Sequence, residues 1–471
     1  MDGLDCSVIA KRELERTLRI DAEFYSKEAL ISDRKIRAIS HERLTKLVNV
    51  SDGNHAGISD RFQEEGVPYY RGQDAGTFFI ENSSPIYIDS DTFSLPFMQR
   101  SHLKKSDVLL SIVGTIGSLS LVYSEKAATC SCKLAILRPK DPGNAEYLAA
   151  FLNCKYGQTQ IKRLTRGAVQ MGLILEDMDQ LVVPTVGDNL IKQIRDTVIS
   201  AHKKQEESAS AYDAAETLLN QSFCFDNSSI PQSSISEKLY SQSFLMEDRI
   251  DSEFYQPKYD YIKKVLYDYD PGVLTLDEIA IYLFTGEYAE EYSQKASSNN
   301  LCNYIRGTDI RFGSVEKDDK HCVNPANFTK FVSTGDIVTG RVGTIGNFGI
   351  VDDALDGAVC SDNILCFRLP EGYLPDVYTL YFNTPIINEL IKRLARGSVQ
   401  QRLNQETLRK VSIPLIHMDT QKKISSLVQK SYQLRKESMQ LLEFAKRAVE
   451  IAIEQDEATA VCWLRERAGE Q

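Results

Sequence analysis

The sequence predicts an α+β protein: two pseudo-symmetric lobes separated by an antiparallel pair of long helices packed as a coiled coil. Three observations carry that prediction. The first is duplication. RIDAEFY at Arg19 to Tyr25 returns as RIDSEFY at Arg249 to Tyr255, a displacement of 249 − 19 = 230. IVGTIG at Ile112 to Gly117 returns as RVGTIG at Arg341 to Gly346, RLTRGAVQ at Arg163 to Gln170 as RLARGSVQ at Arg393 to Gln400, and VVP at Val182 to Pro184 as SIP at Ser412 to Pro414. A period this long is not that of a solenoid, and each copy is large enough to own a core. The second observation is that each copy mixes helical runs with short apolar runs bounded by Gly, Asp, Asn and Pro. The third is a long proline-free helical run after each copy.

In chain order, each copy opens with a short polar helix, Ser26 to Ser40 and Lys258 to Tyr267, after its RIDxEFY motif. Strand-like runs follow, such as Val108 to Val113 and Ile337 to Thr339, and helical segments at Glu146 to Leu164 and Asp376 to Leu394 close each lobe. The long helices are expected over Asn189 to Gln221 and Thr420 to Gln455. Registered by the same displacement, Ile194, Ala201, Ser208 and Ala215 fall opposite Ile424, Ser431, Ser438 and Ala445 at heptad spacing. A narrow seam of this kind suits two helices packed closely side by side. Between the first helix and the second copy, the Ser-rich stretch Cys224 to Leu239 marks an exposed connector. The expected order is therefore a first lobe over 1–187, a helix over 188–223, a linker over 224–240, a second lobe over 241–417 and a distal helix over 418–471.

Composition excludes several classes. No run approaches the roughly 20 apolar residues that span a bilayer, and the N-terminus lacks the basic head and apolar run of a secretion signal, so a cytoplasmic location without membrane contact is expected. The ten cysteines include no CxxC pair and the six histidines no metal-ligand spacing, so buried free thiols and no structural metal are expected. A net charge of −11 argues against coating nucleic acid unaided. Local clustering runs the other way, because Lys162, Arg163 and Arg166 recur as Lys392, Arg393 and Arg396, with Arg402 beyond.

Each motif has a structural and a functional reading. GTIG lacks the GK[ST] of a phosphate loop and reads as a glycine turn between strands. RLTRGAVQ and RLARGSVQ read either as a helix end capped by glycine with dipole-compensating cations, or as a DNA-binding edge. In the second case Arg reads guanine and Gln reads adenine, which singles out Arg166, Gln170, Arg396 and Gln400. YYRGQDAG at Tyr69 to Gly76 matches YIRGTDIR at Tyr304 to Arg311. There, Arg71 and Arg306 are expected to hold a turn by pairing with Asp74 and Asp309, with Arg71, Gln73 and Arg306 kept as DNA-binding candidates. The loops Ser51 to Phe62 and Phe284 to Lys295 share little, and divergent loops on a common frame are where different sequences would be read. No methyltransferase, nucleotide-binding, zinc-protease or nuclease motif is present, so the chain is expected to be non-catalytic and to bind no cofactor.

With its two RIDxEFY starts, two GTIG turns, two RGxVQ segments and two long helices in order, the whole chain resembles the specificity subunit of a type I restriction–modification enzyme. The resemblance implies two target recognition domains, each reading half of a split site on double-stranded DNA. It also implies that the helices dock two adenine methyltransferase subunits, which bring S-adenosylmethionine, and through them ATP-dependent translocating nuclease subunits. The acidic loop Glu287 to Glu291 is an odd neighbour for phosphate and suggests a partner-facing surface instead. A second class stays open: an acidic scaffold or DNA mimic that binds restriction machinery without reading DNA.

Overall fold

The computed structural model describes all residues except 1–6, 15–18, 82–84, 168–170, 224–228, 232, 234, 248, 271, 295–299, 312, 396–400 and 470–471. The chain divides into two compact units, Met1–Glu206 with Arg435–Gln471, and Glu207–Leu434.

Both units are built on the same frame. In the first, a five-stranded sheet runs in the order Val48–Asp52, Leu134–Pro139, Val108–Ser111, Leu119–Leu121, Thr77–Phe79. In the second, Tyr282–Thr285, Ile364–Arg368, Ile337–Gly340, Phe348–Ile350 and Gly313–Val315 repeat that order, and Ile310–Arg311 adds an edge strand. The VVP and SIP repeats are short strands, Val182–Pro184 pairing with His41–Arg43 and Ser412–Pro414 with Val273–Thr275. Nearly every central strand residue is buried, so one face packs under helices and the other against residues such as Leu103, Ala128 and Cys130 in the first unit and Ile305, Val332 and Cys360 in the second, as near-continuous apolar runs demand.

Helix α1 (Lys27–Arg37) starts one residue later than expected because Ser26 is its N-cap and accepts from the Ala29 amide at 3.3 Å. The segment expected as one helix near residue 150 is two, α2 (Ala145–Asn153) and α3 (Lys155–Leu164), with extended backbone at Cys154. A Cβ on Gly157 would stand 2.2 Å from the Phe151 carbonyl oxygen, so the two helices meet more tightly than a side chain there permits. After α4 (Asp188–Ser222) and α5 (Pro257–Tyr267), the second unit repeats the break between α6 (Pro375–Asn383) and α7 (Pro385–Leu394). Here Pro385 enforces it, having no amide to continue the ladder.

The long distal helix, expected over Thr420 to Gln455, is found there, and a shorter helix follows it. α8 spans Met418–Glu454 and α9 spans Glu457–Gly469, with the Asp456 carboxylate accepting from the Thr459 amide at 2.8 Å to start the new helix. Within the first unit, α4 lies antiparallel to α8, and α9 packs beside its start. Gly187 donates to Glu457 at 2.9 Å, Ser438 Oγ donates to the Ala201 carbonyl at 2.7 Å, and Lys204 pairs with Glu437. Leu190, Ile194 and Val198 share the lobe's core with Leu441, Ala445 and Leu464. Within the second unit, Ser208 Oγ donates to the Ser431 carbonyl and Ser431 Oγ to that of Ser208, both at 2.8 Å. Ala215 and Leu219 there join a core with Ile424 and Val428. All eight seam residues named above are buried. The displacement of 230 carries Ala201 to Ser431 and Ser208 to Ser438, so the contact in one unit is the repeat image of the contact in the other.

One ion pair absent from the sequence reading is built into each sheet. Asp107, 1% exposed, accepts from Arg138 at 2.7 Å, and Asp336, fully buried, accepts from Arg368 at 2.7 Å. Among the described residues no disulfide joins the cysteines, and their burial is not uniform: Cys130, Cys154, Cys322, Cys360 and Cys366 are buried, whereas Cys462 is exposed. Among the described residues no helix is long and apolar enough to cross a membrane.

His202 of α4 stacks on Tyr123 at 4.1 Å and meets Phe79 edge-on at 5.1 Å. Burial pushes its pKa below the usual 6.5, with Glu206 opposing. A base depressed on folding stays neutral in the fold while the unfolded chain protonates. Its stabilisation is therefore complete above 6.5 and lost as pH falls through the folded pKa. Thermal melting should show the first unit weakening as pH drops below about 6.5, and His202→Phe should flatten that dependence. An unchanged slope would dismiss this account of His202.

Candidate nucleic-acid interface

Three repeated motifs that lie far apart in sequence meet at one tip of each lobe. In the first, strand Val108–Ser111 runs into the IVGTIG turn, where Gly114 and Gly117 adopt φ of 85° and 91°. Only glycine takes such angles without strain. Thr115 Oγ1 donates to the Gly72 carbonyl at 2.7 Å, which ties this turn to YYRGQD. That second turn is locked from inside: Asp74, 2% exposed, accepts from the Arg71 amide at 2.7 Å and from its guanidinium at 3.1 and 3.2 Å. The third motif closes the tip, because Leu173 donates to the Ile112 carbonyl at 2.9 Å and Gly172 bridges Val113 and Arg166.

The second lobe repeats these turns, although Thr344 Oγ1, the counterpart of Thr115 Oγ1, is buried without a hydrogen-bond partner. Gly343 and Gly346 take φ of 74° and 89°, Asp309 holds the Arg306 amide and guanidinium, and Leu403 donates to the Arg341 carbonyl at 2.9 Å. A side-chain amide pins each glycine turn: Gln158 donates to the Gly117 carbonyl at 2.9 Å, and its repeat counterpart Asn388 donates to that of Gly346. The unlike loops begin beside the tips at a pair of glycines that the sequence reading missed. A Cβ on Gly53 would stand 2.3 Å from the Ser131 oxygen, and one on Gly286 2.2 Å from that of Cys360, so each strand exits only because no side chain intervenes.

The candidate residues separate into two groups. Lys162 and Lys392, in the last turns of α3 and α7, are exposed, as are Gln73 and Arg402. Arg71 and Arg306 are engaged with Asp74 and Asp309, and Arg306 also with Asp318. Arg166 is paired with Asp177 at 2.7 Å. Gln170, Arg396 and Gln400 lie outside the described residues. In the acidic loop, Glu287 turns inward, accepting from the Thr329 and Lys330 amides at 2.9 and 2.8 Å, while Glu290 and Glu291 are exposed.

Arg163 and Arg393 take part in a clasp. Arg163 stacks over Phe24 at 4.2 Å and donates to the Phe24 carbonyl at 2.8 Å, while Arg19 covers the same ring at 4.5 Å and reaches the Thr165 carbonyl at 3.1 Å. In the second lobe Arg393, 9% exposed, stacks over Phe254 at 3.8 Å, with Arg249 at 4.4 Å. Each RIDxEFY motif is thus an aromatic ring gripped by two guanidiniums, one from its own start and one from the end of the basic helix. Desolvation pulls the pKa of Arg163 down and Asp33 opposes it, whereas the hydrogen bond from Arg19 holds Asp21 below the usual carboxylate range. Phe24 is 3% exposed, so Phe24→Ala should destabilise the first unit by about 3–5 kcal/mol through the lost ring and the cavity left behind. A denaturant melt of the full chain reads this, and a loss below about 1 kcal/mol would contradict the clasp.

The family model described as Type I restriction modification DNA specificity domain matches residues 282–443, about a third of the chain. No curated protein matches by sequence. Among solved structures, the S subunit of the type I restriction-modification system from M. genitalium is 13% identical, with 90% of this chain and 95% of that one covered at a TM-score of 0.37. The HsdS subunit from Thermoanaerobacter tengcongensis is 14% identical, with 88% and 96% covered at 0.28. A chain from a structure titled for complex assembly and conformational transition of the type I R-M system is also 14% identical, with 88% and 97% covered at 0.28. Residues 282–443 of the second lobe are thus similar to a type I restriction modification DNA specificity domain, and the first lobe repeats the second lobe's frame.

Proposed function

We propose that this chain is the DNA specificity subunit of a type I restriction–modification complex. It binds an asymmetric, bipartite site on double-stranded DNA and docks adenine methyltransferase subunits, which carry S-adenosylmethionine, and nuclease subunits through them. The observation that carries this reading is the glycine turn and the Arg–Asp-locked turn built in both lobes, within a chain of which residues 282–443 match a DNA specificity domain. Two similar frames bearing unlike loops suit two unlike half-sites, because locked turns fix position while exposed side chains select bases. The chain contributes aim and the partners contribute chemistry. Its net charge of −11 is compatible with this role if the methyltransferase subunits share the phosphate contacts that supply non-specific affinity.

The proposed domain limits are the lobes 1–187 and 241–417, the helices 188–223 and 418–471, and the linker 224–240. The test is to mix the purified chain with its co-encoded methyltransferase and S-adenosylmethionine, then map methylated adenines on a DNA library. Methylation confined to one split sequence is expected. Complex formation without any sequence preference would favour the acidic scaffold instead.

A further inference from the structure

What fixes each tip is repeated between the lobes; what each tip presents outward is not. The Arg–Asp lock, the paired glycines and the leucine hydrogen bond recur as described above. Around them, Gln73 stands where the second lobe has Thr308, each exposed on the locked 3-10 turn. Lys133, whose carbonyl accepts from the Ile112 amide at 3.0 Å, stands where Asn363 accepts from the Arg341 amide at 2.9 Å. Both are exposed. Gly172, bridged to Val113, stands where exposed Arg402 is bridged to Val342. At the centre, the space where a side chain on Gly114 or Gly343 would lie is empty to 4 Å in both lobes, so a ligand can approach bare backbone.

Resting on the specificity reading, we infer that these three paired positions, 73/308, 133/363 and 172/402, are the base-reading residues, set around the bare glycine turn as a rigid platform for the major-groove edges of duplex DNA. The residue types fit that task. Gln and Asn can bond adenine at N6 and N7, Lys and Arg can bond guanine at O6 and N7, and the Thr methyl can pack on the thymine methyl. Rigid turns suit readout better than free loops because the side chains start near their bonding geometry. The first tip therefore offers an amide and an ammonium, and the second a hydroxyl, an amide and a guanidinium.

The test transplants the second tip onto the first, Gln73→Thr with Lys133→Asn and Gly172→Arg, in the full chain bound to its methyltransferase subunits. Gly172 tolerates the change, since a Cβ there meets the Ile112 oxygen at 3.6 Å, an ordinary contact, and the other two side chains point into solvent. Methylated adenines are mapped on a randomised DNA library. The expected result is a base preference altered by roughly tenfold or more within the half-site read by the first lobe, with the other half-site retained. The reciprocal pair Thr308→Gln and Asn363→Lys should alter only the other half-site, and provides a second, independent set of variants. An unchanged first half-site overturns the inference while leaving the specificity reading intact. So does a uniform drop in methylation with the sequence preserved, since that marks phosphate contacts alone. Should the wild-type complex methylate without sequence preference, the specificity reading itself fails and the inference with it.

Discussion

Removing one heptad from each long helix, residues 202–208 and 432–438, should shorten the gap between the two recognised half-sites by about three base pairs and leave both half-sites unchanged. The deletions are repeat images, so after them Ala201 falls opposite Ser431 and the seam stays small. Seven residues at about 1.5 Å each remove roughly 10 Å of helix, and B-DNA rises about 3.4 Å per base pair. Deleting four residues instead would leave each helix rotated by a net of about 40° and break the heptad register. That variant should fail to assemble. The measurement is the methylation map of the variant complex. A shortened gap supports the helices as the spacer, and an unaltered map opposes it.

A second large effect is expected at the seam itself. Ser208 and Ser431 approach so closely that each hydroxyl reaches the other helix's carbonyl at 2.8 Å. Replacing both by Leu puts two branched side chains where only hydroxymethyl groups fit, at an expected loss of about 2–6 kcal/mol for the pair. Ser→Ala at both positions keeps the space and loses only hydrogen bonds, at about 1 kcal/mol each. Thermal melting separates the two variants. If the leucines melt no lower than the alanines, the helices are not in close contact there.

The seam was legible because helical periodicity is a local property: small residues at every seventh position declare a narrow contact before any partner is known. The halves of the RIDxEFY clasp were visible as motifs, but their purpose was not. Arg163 reads as a basic helix end until its partner is found 139 residues away at Phe24, and a sequence does not say which ring a guanidinium covers. The paired Asp107 and Arg138, repeated as Asp336 and Arg368, were missed because isolated Asp and Arg are common. Only the displacement 336 − 107 = 229 would have linked them. Gly53 and Gly286 were hidden by a displacement of 286 − 53 = 233 and by the unlike loops that follow them. The Arg71 and Asp74 pairing was foreseen, since an Arg, Gly and Asp in that order fit a turn closed by its own ends. The tip surfaces were only partly legible, as Gln73 and Arg402 stood in recognisable motifs whereas Lys133 and Asn363 did not.

The most direct measurement sequences methylated adenines in host DNA with and without this gene. The account predicts that loss of the gene erases methylation at one split, asymmetric sequence whose two parts are separated by a fixed gap. Methylation that persists unchanged, or that vanishes from a single continuous sequence, would contradict it.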